Sequence, residues 1–182
     1  MSKKQGFPPR KTYTPFELNP QYDIFVLDTC GLHCDKHPDA ACRQYQTEML
    51  QLLSNGKVVT DPQTITEITH CTKGGKYKCL ALEVLCKHAE RPEGISRFFK
   101  ENKTLARQTG VWTGRKPPAD MYNLWQAVFL SKDYTRVALL TADRQLCRMA
   151  VQIKNPGFDT YMLIQNKSRL IHYTLASLML ER

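Results

Sequence analysis

Hydrophobic and polar positions along the chain predict strands that alternate with helices. A run of apolar, β-branched and aromatic residues between Asp23 and Thr29 is typical of a strand buried on both faces. Ala41 to Asn55 instead carries apolar residues at helical spacing and stops at an Asn-Gly pair. Further strands are predicted at 57–60, 136–141 and 158–164, and further helices at 61–71, 77–87, 94–108, 121–131, 143–153 and 167–180.

This alternation predicts an α/β fold of three layers, in which helices cover both faces of a central, mainly parallel sheet. The 182 residues suit one domain, because two independent cores would be crowded in a chain of this length. We expect the domain to span 21–165. Residues 1–20 are basic and rich in proline, which predicts an extended arm that becomes ordered only on a partner. Residues 166–182 are expected to form a closing helix.

The net charge favours a polyanionic partner. Lysine and arginine number 26 against 17 acidic residues, which gives a formal charge of +9 and a pI near 9.3. Such a surplus attracts phosphate backbones and speeds encounter with them. Nucleic acid is the favoured partner, and an acidic membrane surface is the alternative.

Targeting signals and cysteine content indicate the compartment. No apolar stretch approaches the roughly 20 residues that span a bilayer, and the N-terminus lacks the apolar core of a secretory signal. The seven cysteines are an odd number, which favours free thiols in a reducing compartment over a disulfide framework. We therefore expect a cytoplasmic protein, or a nuclear one if the source is eukaryotic.

Four acidic residues stand at the edges of the predicted elements: Asp28, Glu67, Asp120 and Asp143. Asp28 ends the first strand and Asp143 follows the strand at 136–141, so the two converge if those strands are neighbours in a parallel sheet. Glu67 and Asp120 lie on helices that follow loops and can face the same edge. Converging carboxylates repel one another unless a cation binds or some are protonated. One or two Mg²⁺ or Mn²⁺ ions would meet that need, since Mg²⁺ prefers oxygen ligands.

Each acid also has a plain structural alternative. Asp143 and Asp120 can cap the helices at which they stand, a role worth about 1 kcal/mol. Glu67 can be a solvated surface residue. Asp28 is the hardest to explain without a ligand, because a carboxylate that ends an apolar central strand is costly unless it is paired or metal-bound.

The order of these acids and the residues around them resemble the PIN domain, a nuclease family with an α/β fold similar to that of flap nucleases. The resemblance is carried by Phe25-Val-Leu-Asp-Thr29, Pro62-Gln-Thr-Ile-Thr-Glu67, Asp120 at the head of a helix, and Leu139-Leu-Thr-Ala-Asp-Arg-Gln-Leu146. It covers roughly the predicted domain. The last block, a strand that runs into Thr-x-Asp-x-x-Leu and a helix, is its most specific part.

The resemblance implies a metal-dependent ribonuclease in which the four acids named above bind Mg²⁺ or Mn²⁺ as a quartet. Thr29 and Thr141 match small hydroxyl positions that support such a site. The long polar segment after Thr29, the basic arm and the interval between Asp120 and Asp143 depart from the pattern of the small toxins in this family.

Basic residues flank the predicted site. Three stand around the Gly74-Gly75 pair, two precede Asp120 in a loop, and one follows Asp143. These six candidates for binding an RNA backbone are Lys73, Lys76, Lys78, Arg115, Lys116 and Arg144. A phosphate backbone that crosses an acidic site needs cations of this kind at its rim. For each of them, a solvated surface role is the alternative.

A segment rich in cysteine and histidine follows the first strand. Its potential zinc ligands are Cys30, His33, Cys34, His37 and Cys42. Zinc needs four soft or borderline ligands in tetrahedral reach, but paired Cys-x-x-Cys motifs are absent and one compact loop rarely closes around the ion. The favoured alternative is a polar loop beside the cleft, in which His33 or His37 meets RNA.

The leading hypothesis is a metal-dependent endoribonuclease. The alternatives are a PIN-fold protein that binds RNA or acts as a scaffold in a ribonucleoprotein complex, a toxin held by an antitoxin, and a nuclease for DNA flaps. RNA is the expected partner, and a protein partner or a second copy of the chain in a homodimer also fits the sequence.

Overall fold

A mixed sheet forms the centre of the computed structural model, which describes residues 11–35, 37–71, 73–153 and 156–180. Within these residues the sheet has six strands in the order β1-β6-β5-β4-β2-β3. The strands are β1 (Thr12–Tyr13), β2 (Ile24–Leu27), β3 (Val58–Val59), β4 (Val137–Thr141), β5 (Asp159–Ile164) and β6 (Arg169–Tyr173). Strands β3, β2, β4 and β5 run parallel to one another. β6 is antiparallel to β5, and β1 is antiparallel to β6.

Helices fill the intervals between the strands. They are α1 (Pro15–Leu18), α2 (Ala40–Ser54), α3 (Pro62–His70), α4 (Gly75–Leu85), α5 (Ile95–Gln108), α6 (Ala119–Leu130), α7 (Arg144–Ala150) and α8 (Leu175–Met179). In the described part of the chain, three short 3₁₀ turns lie at Asn19–Gln21, Thr29–Leu32 and Gln165–Lys167. None of the described helices is long and apolar enough to cross a bilayer.

The central strands are buried on both faces, as their continuous apolar runs predict. In β2, Phe25 and Leu27 face one core cluster, whereas Ile24 and Val26 face the other. The first cluster includes residues of α1 to α4, and the second includes residues of α5, α6 and α7. The fold is therefore α/β with helices on both faces of a mostly parallel sheet, and the predicted class is confirmed at that level.

The predicted closing helix at 167–180 is wrong. Residues 169–173 instead form β6, which pairs with β5 along its whole length, and a helix occupies only Leu175–Met179. Ser168 adopts a left-handed φ of 49° and turns the chain back beside β5. The pairing buries Leu170 and Tyr173 and satisfies the backbone groups of β5, which outweighs a leucine spacing that also fits a helix.

Part of the predicted arm belongs to the fold. Residues 1–10 lie outside the described part of the chain, but β1 adds a short strand beside β6. A capping box then starts α1: Thr14 Oγ1 accepts a hydrogen bond from the Glu17 backbone at 3.3 Å, and Glu17 Oε2 accepts one from the Thr14 backbone at 2.7 Å. Leu18 is fully buried in the first core cluster. The expectation that residues 11–20 order only on a partner is wrong, because Leu18 anchors them.

An ion pair between a buried carboxylate and an exposed guanidinium fixes the start of α3. Asp61 is 1% exposed, and its Oδ1 accepts a hydrogen bond from the Gln63 backbone at 2.7 Å, which caps the helix. The Arg91 guanidinium donates to both Asp61 oxygens, at 2.9 and 2.8 Å. It also lies 4.0 Å above the centre of the Tyr122 ring on α6. One side chain thus ties the segment after α4 to α3 and α6.

We expect Arg91→Ala to lower the free energy of unfolding by about 2 kcal/mol, because it leaves the buried Asp61 carboxylate without its partner. Urea unfolding measures the change. The matched control is Arg97→Ala, which removes an exposed pair with Glu101 one helical turn away and should cost at most about 0.5 kcal/mol. Equal small losses for the two variants would show that the Arg91 pair does not fix α3.

Candidate active site

Asp28 lies at the carboxyl end of β2, on the edge of the sheet where the parallel strands end. It is 1% exposed, and its backbone N–H donates to the Leu140 oxygen of neighbouring β4 at 3.0 Å. The turn that follows packs tightly on β4, since a Cβ atom at Gly31 would stand 2.5 Å from that same oxygen. The missing side chain at Gly31 therefore allows the turn to hold Asp28 against the sheet.

Thr141, the last residue of β4, joins Asp28 to Asp143. Its hydroxyl donates to Asp28 Oδ2 at 2.7 Å and accepts from the Asp143 backbone at 2.9 Å. Asp143 also caps α7, because its Oδ1 accepts from the backbones of Gln145 and Leu146 at 2.6 and 3.1 Å. Strands β2 and β4 are direct neighbours, which is the condition under which the sequence places these two acids together.

Glu67 and Asp120 reach the same edge from helices. Glu67 is exposed on α3, and its Oε2 accepts a hydrogen bond from Thr29 Oγ1 at 2.8 Å. Asp120 is half-buried in the first turn of α6, where its carboxyl group lies close enough to Asp28 for that acid to raise its pKa. Each of the two threonines singled out in the sequence therefore bonds one acid, Thr29 to Glu67 and Thr141 to Asp28.

The environment of Asp28 and Asp120 favours their protonated forms. Burial, opposed by the hydrogen bond from Thr141, raises the pKa of Asp28 to about 6. Burial and then the charges of the three other acids raise the pKa of Asp120 to about 8. Because both pKa values rise, desolvation and mutual repulsion outweigh any stabilisation that nearby groups give to the ionised carboxylates.

The Cys30 thiol is a common point for all four carboxylates. Cys30 is exposed as a residue, but desolvation of its thiol, followed by the charges of the four acids, raises the pKa of that thiol to about 12. The negative charges of four acids from segments that are distant in sequence therefore all raise the pKa of this one thiol. We call these four residues the acidic cluster: Asp28, Glu67, Asp120 and Asp143.

Asn123 is a residue of this site that sequence reasoning missed. It is fully buried on α6, and its Nδ2 donates to Thr64 Oγ1 at 2.9 Å and to Asp28 Oδ1 at 3.4 Å. Its Oδ1 accepts from the Asp61 backbone at 3.4 Å. One amide therefore links β2, α3 and α6, which carry three of the four acids. Its signal in the sequence is a polar side chain inside the apolar run Met121-Tyr-Asn-Leu-Trp125.

The donor chemistry of the acidic cluster fits a hard divalent cation. Mg²⁺ prefers oxygen ligands, keeps several waters, and binds through one or two carboxylates. Asp28 and Asp120 can supply such a pair, because Asp28 lies near enough to raise the pKa of Asp120. Among the described residues, no three His, Cys, Asp or Glu side chains are placed to coordinate one ion directly. A cation here would therefore keep water between itself and part of the cluster.

Comparisons of this chain with family models, with curated proteins and with solved structures found no match. Its function is therefore inferred from the residues and geometry at this edge of the sheet.

The six basic candidates have different surroundings. Lys78 is half-buried, and its ammonium donates to the backbone oxygens of Cys71 and Thr69 at 2.6 and 3.4 Å, so it caps the end of α3. This bonding stabilises the local fold and competes with a role in binding phosphate. The other five are exposed: Lys73, Lys76, Arg115, Lys116 and Arg144.

The cysteine- and histidine-rich segment does not assemble a zinc site from its described residues. His33 is 7% exposed, and its Nε2 lies 3.0 Å from Ser168 Oγ in a buried hydrogen bond. The expectation that His33 meets RNA is therefore wrong, because its ring is occupied inside the fold. Cys42 is also buried, in the first turn of α2, whereas His37 is exposed in the loop before it.

The raised pKa values predict how stability changes with pH when no metal is bound. A carboxyl group whose pKa is higher in the folded state stabilises the fold fully below its unfolded pKa near 4 and loses that contribution as the pH rises through its folded pKa. In EDTA, the stability that Asp28 and Asp120 contribute should therefore fall between about pH 4 and pH 8.

We expect Asp120→Asn to remove most of this fall, because the amide has no proton to lose and relieves the repulsion on Asp28. Urea unfolding of both proteins in EDTA at pH 5 and pH 8 gives the comparison. The variant should gain stability relative to wild type at pH 8 and much less at pH 5. The same difference at both pH values would contradict the proximity of Asp120 to the other acids.

Proposed function

We propose that this chain is a metal-dependent endoribonuclease of the PIN type, which hydrolyses RNA phosphodiester bonds at the acidic cluster. The observation that carries the proposal is the convergence of the acids on one sheet edge, where Thr141 joins Asp28 to Asp143 and the charges of the three other acids raise the pKa of Asp120. Such an arrangement is costly to keep, because buried and mutually repelling carboxylates destabilise a fold unless something neutralises them. A bound divalent cation supplies that neutralisation.

The four residues of the acidic cluster would take two different roles in binding the ion. Asp28 and Asp120 would bind the ion directly, and Glu67 and Asp143 would hold its water ligands. When bound, the cation would polarise a phosphoryl oxygen and lower the pKa of a water molecule, which is the chemistry of metal-assisted hydrolysis.

The chain's own side chains fix the direction of these carboxylates. Thr141 orients Asp28 through a hydrogen bond of 2.7 Å, and Thr29 orients Glu67 through one of 2.8 Å. The Asn123 amide holds α6 against β2 and α3. Hydrogen bonds of this outer kind typically change metal affinity or activity by about 10- to 100-fold.

The charge of the chain supports RNA as the substrate, and the topology of the sheet supports a nuclease of the PIN type. The formal charge of +9 favours a polyanion, and exposed Arg115, Lys116 and Arg144 stand within five residues of an acid in the sequence. Two of the acids follow adjacent parallel strands, at the edge where α/β sheets commonly bind ligands. This order of strand, acid and helix agrees with the motifs by which the sequence resembles PIN domains.

We expect the purified protein to cleave RNA with Mn²⁺ or Mg²⁺ and to stop when EDTA is added. Asp28→Asn should lower the cleavage rate by at least about 100-fold, because loss of a direct ligand should cost more than loss of an outer hydrogen bond. Gel analysis of a mixed RNA pool, with sequencing of the new ends, measures both results.

The matched control is Asp133→Asn, which makes the same chemical change at an exposed residue after α6, away from the acidic cluster. It should cleave at the wild-type rate, and circular dichroism should show that both variants fold. Full activity in folded Asp28→Asn, or cleavage that persists in EDTA, would contradict the proposed function.

A further inference from the structure

We propose that the solvent face of α5 is a track that guides the RNA backbone to the acidic cluster. Four basic residues lie along this face and form what we call the basic stripe: Arg97, Lys100, Lys103 and Arg107. The inference rests on the proposed function for its substrate. It adds a binding surface that contains none of the six basic residues proposed from the sequence to bind the RNA backbone.

The basic stripe follows one side of α5 because its members are three or four residues apart, the spacing of neighbours on a helix surface. All four are exposed. Phe98 and Ala106 face the opposite way and are buried in the second core cluster, together with half-buried Ile95, Phe99 and Leu105. The stripe is therefore directed away from the sheet and spans about 15 Å from end to end at 1.5 Å per residue.

One end of the stripe lies beside the acidic cluster. The chain leaves α5 at Gln108 and passes Gly110, where an added Cβ atom would stand 3.0 Å from the side chain of Gln145 at the start of α7. Asp143 caps that same helix. The loop then continues through exposed Arg115 and Lys116 to Asp120. Arg107 is therefore the member of the stripe nearest to the acids, and the loop extends its positive charge towards them.

The other end of the stripe lies away from the acids. At Gly94, just before α5, an added Cβ atom would stand 3.3 Å from the ring of Trp125 on α6. Arg97 lines a cavity of about 520 Å³ together with Lys132, which follows the end of α6. Since α6 begins at the acidic cluster and ends just before Lys132, α5 runs back towards the cluster. The stripe thus leads from this cavity to the acids.

The chemistry of this face fits a phosphate backbone better than a protein partner. A protein interface normally has an apolar or aromatic core, but the large hydrophobic residues that are exposed in the described chain all lie outside α5. Arg97 pairs with Glu101 at 2.7 Å, and Lys103 lies 5.5 Å from the centre of the Trp112 ring. Lys100 and Arg107 have no ion pair with a described acidic residue, so their charge is available to a ligand.

Binding of RNA without metal tests the track separately from cleavage. The variant carries Lys100→Gln, Lys103→Gln and Arg107→Gln. The control carries Lys11→Gln, Arg43→Gln and Lys87→Gln, which removes the same number of lysines and arginines from exposed positions before edge strand β1, on α2 and just after α4. Residues of α2 and α4 pack in the first core cluster, on the other face of the sheet from α5. The probe is a fluorescein-labelled uridine 15-mer, and fluorescence anisotropy in EDTA measures its affinity at several salt concentrations.

We expect the stripe variant to bind about 100-fold more weakly than wild type at 0.1 M salt, since each phosphate contact contributes roughly five-fold there. The slope of log affinity against log salt concentration should become less steep by about 2, because each of the three lost contacts accounts for roughly 0.7. The control should stay within about three-fold of wild type, because salt screens charges that do not touch the RNA.

Equal losses in the stripe variant and the control would overturn the track. So would displacement of the RNA by polyglutamate of equal charge as effectively as by unlabelled RNA, which would favour an acidic protein partner. A wild-type protein that cleaves RNA while the stripe variant binds normally would refute the track and leave the proposed function intact. Selective loss of RNA binding in a protein that never cleaves would support the track and count against the nuclease.

Discussion

The burial of the Asp28 carboxylate at the end of a central strand is the constraint on which the rest of the site depends. Asp28 is 1% exposed, and its oxygens are held by the Thr141 hydroxyl and the Asn123 amide. These bonds fix its position but do not offset its desolvation, since the pKa of Asp28 remains raised. The ionised form of Asp28 is therefore disfavoured in this site, and a bound divalent cation would stabilise that form.

The architecture explains how four separate segments share this constraint. Parallel pairing of β2 with β4 brings two strand ends together, and the contact of Gly31 with the β4 backbone keeps the first turn tight against the sheet. The helices α3 and α6 add the remaining acids from opposite layers of the fold, joined through Asn123 and Thr64. The acids are thus carried by well-packed elements, which limits how far repulsion can separate them.

Sequence patterns predict most of this arrangement, because apolar runs and capping residues indicate where strands end and helices begin. The apolar run before Asp28 and the strand before Asp143 place each acid at a strand end, and the pairing of β2 with β4 brings the two acids to one sheet edge. Leu170 and Ile171 fit a helix and a strand equally well, and only pairing with β5 decides between them. Asn123 and the basic stripe were missed for a related reason: their roles depend on which helices pack together, and each residue taken alone is ordinary.

Manganese binding tests whether the acidic cluster holds a divalent cation, and it requires neither the correct RNA nor catalysis. Electron paramagnetic resonance can follow the loss of the free Mn²⁺ signal as protein is added at pH 8. We expect saturable binding by wild type and by Asp133→Asn, with affinity reduced by at least about 10-fold in Asp28→Asn and in Asp120→Asn. Equal Mn²⁺ binding by all four proteins, or no saturable binding by wild type at millimolar Mn²⁺, would contradict a cation site at the acidic cluster.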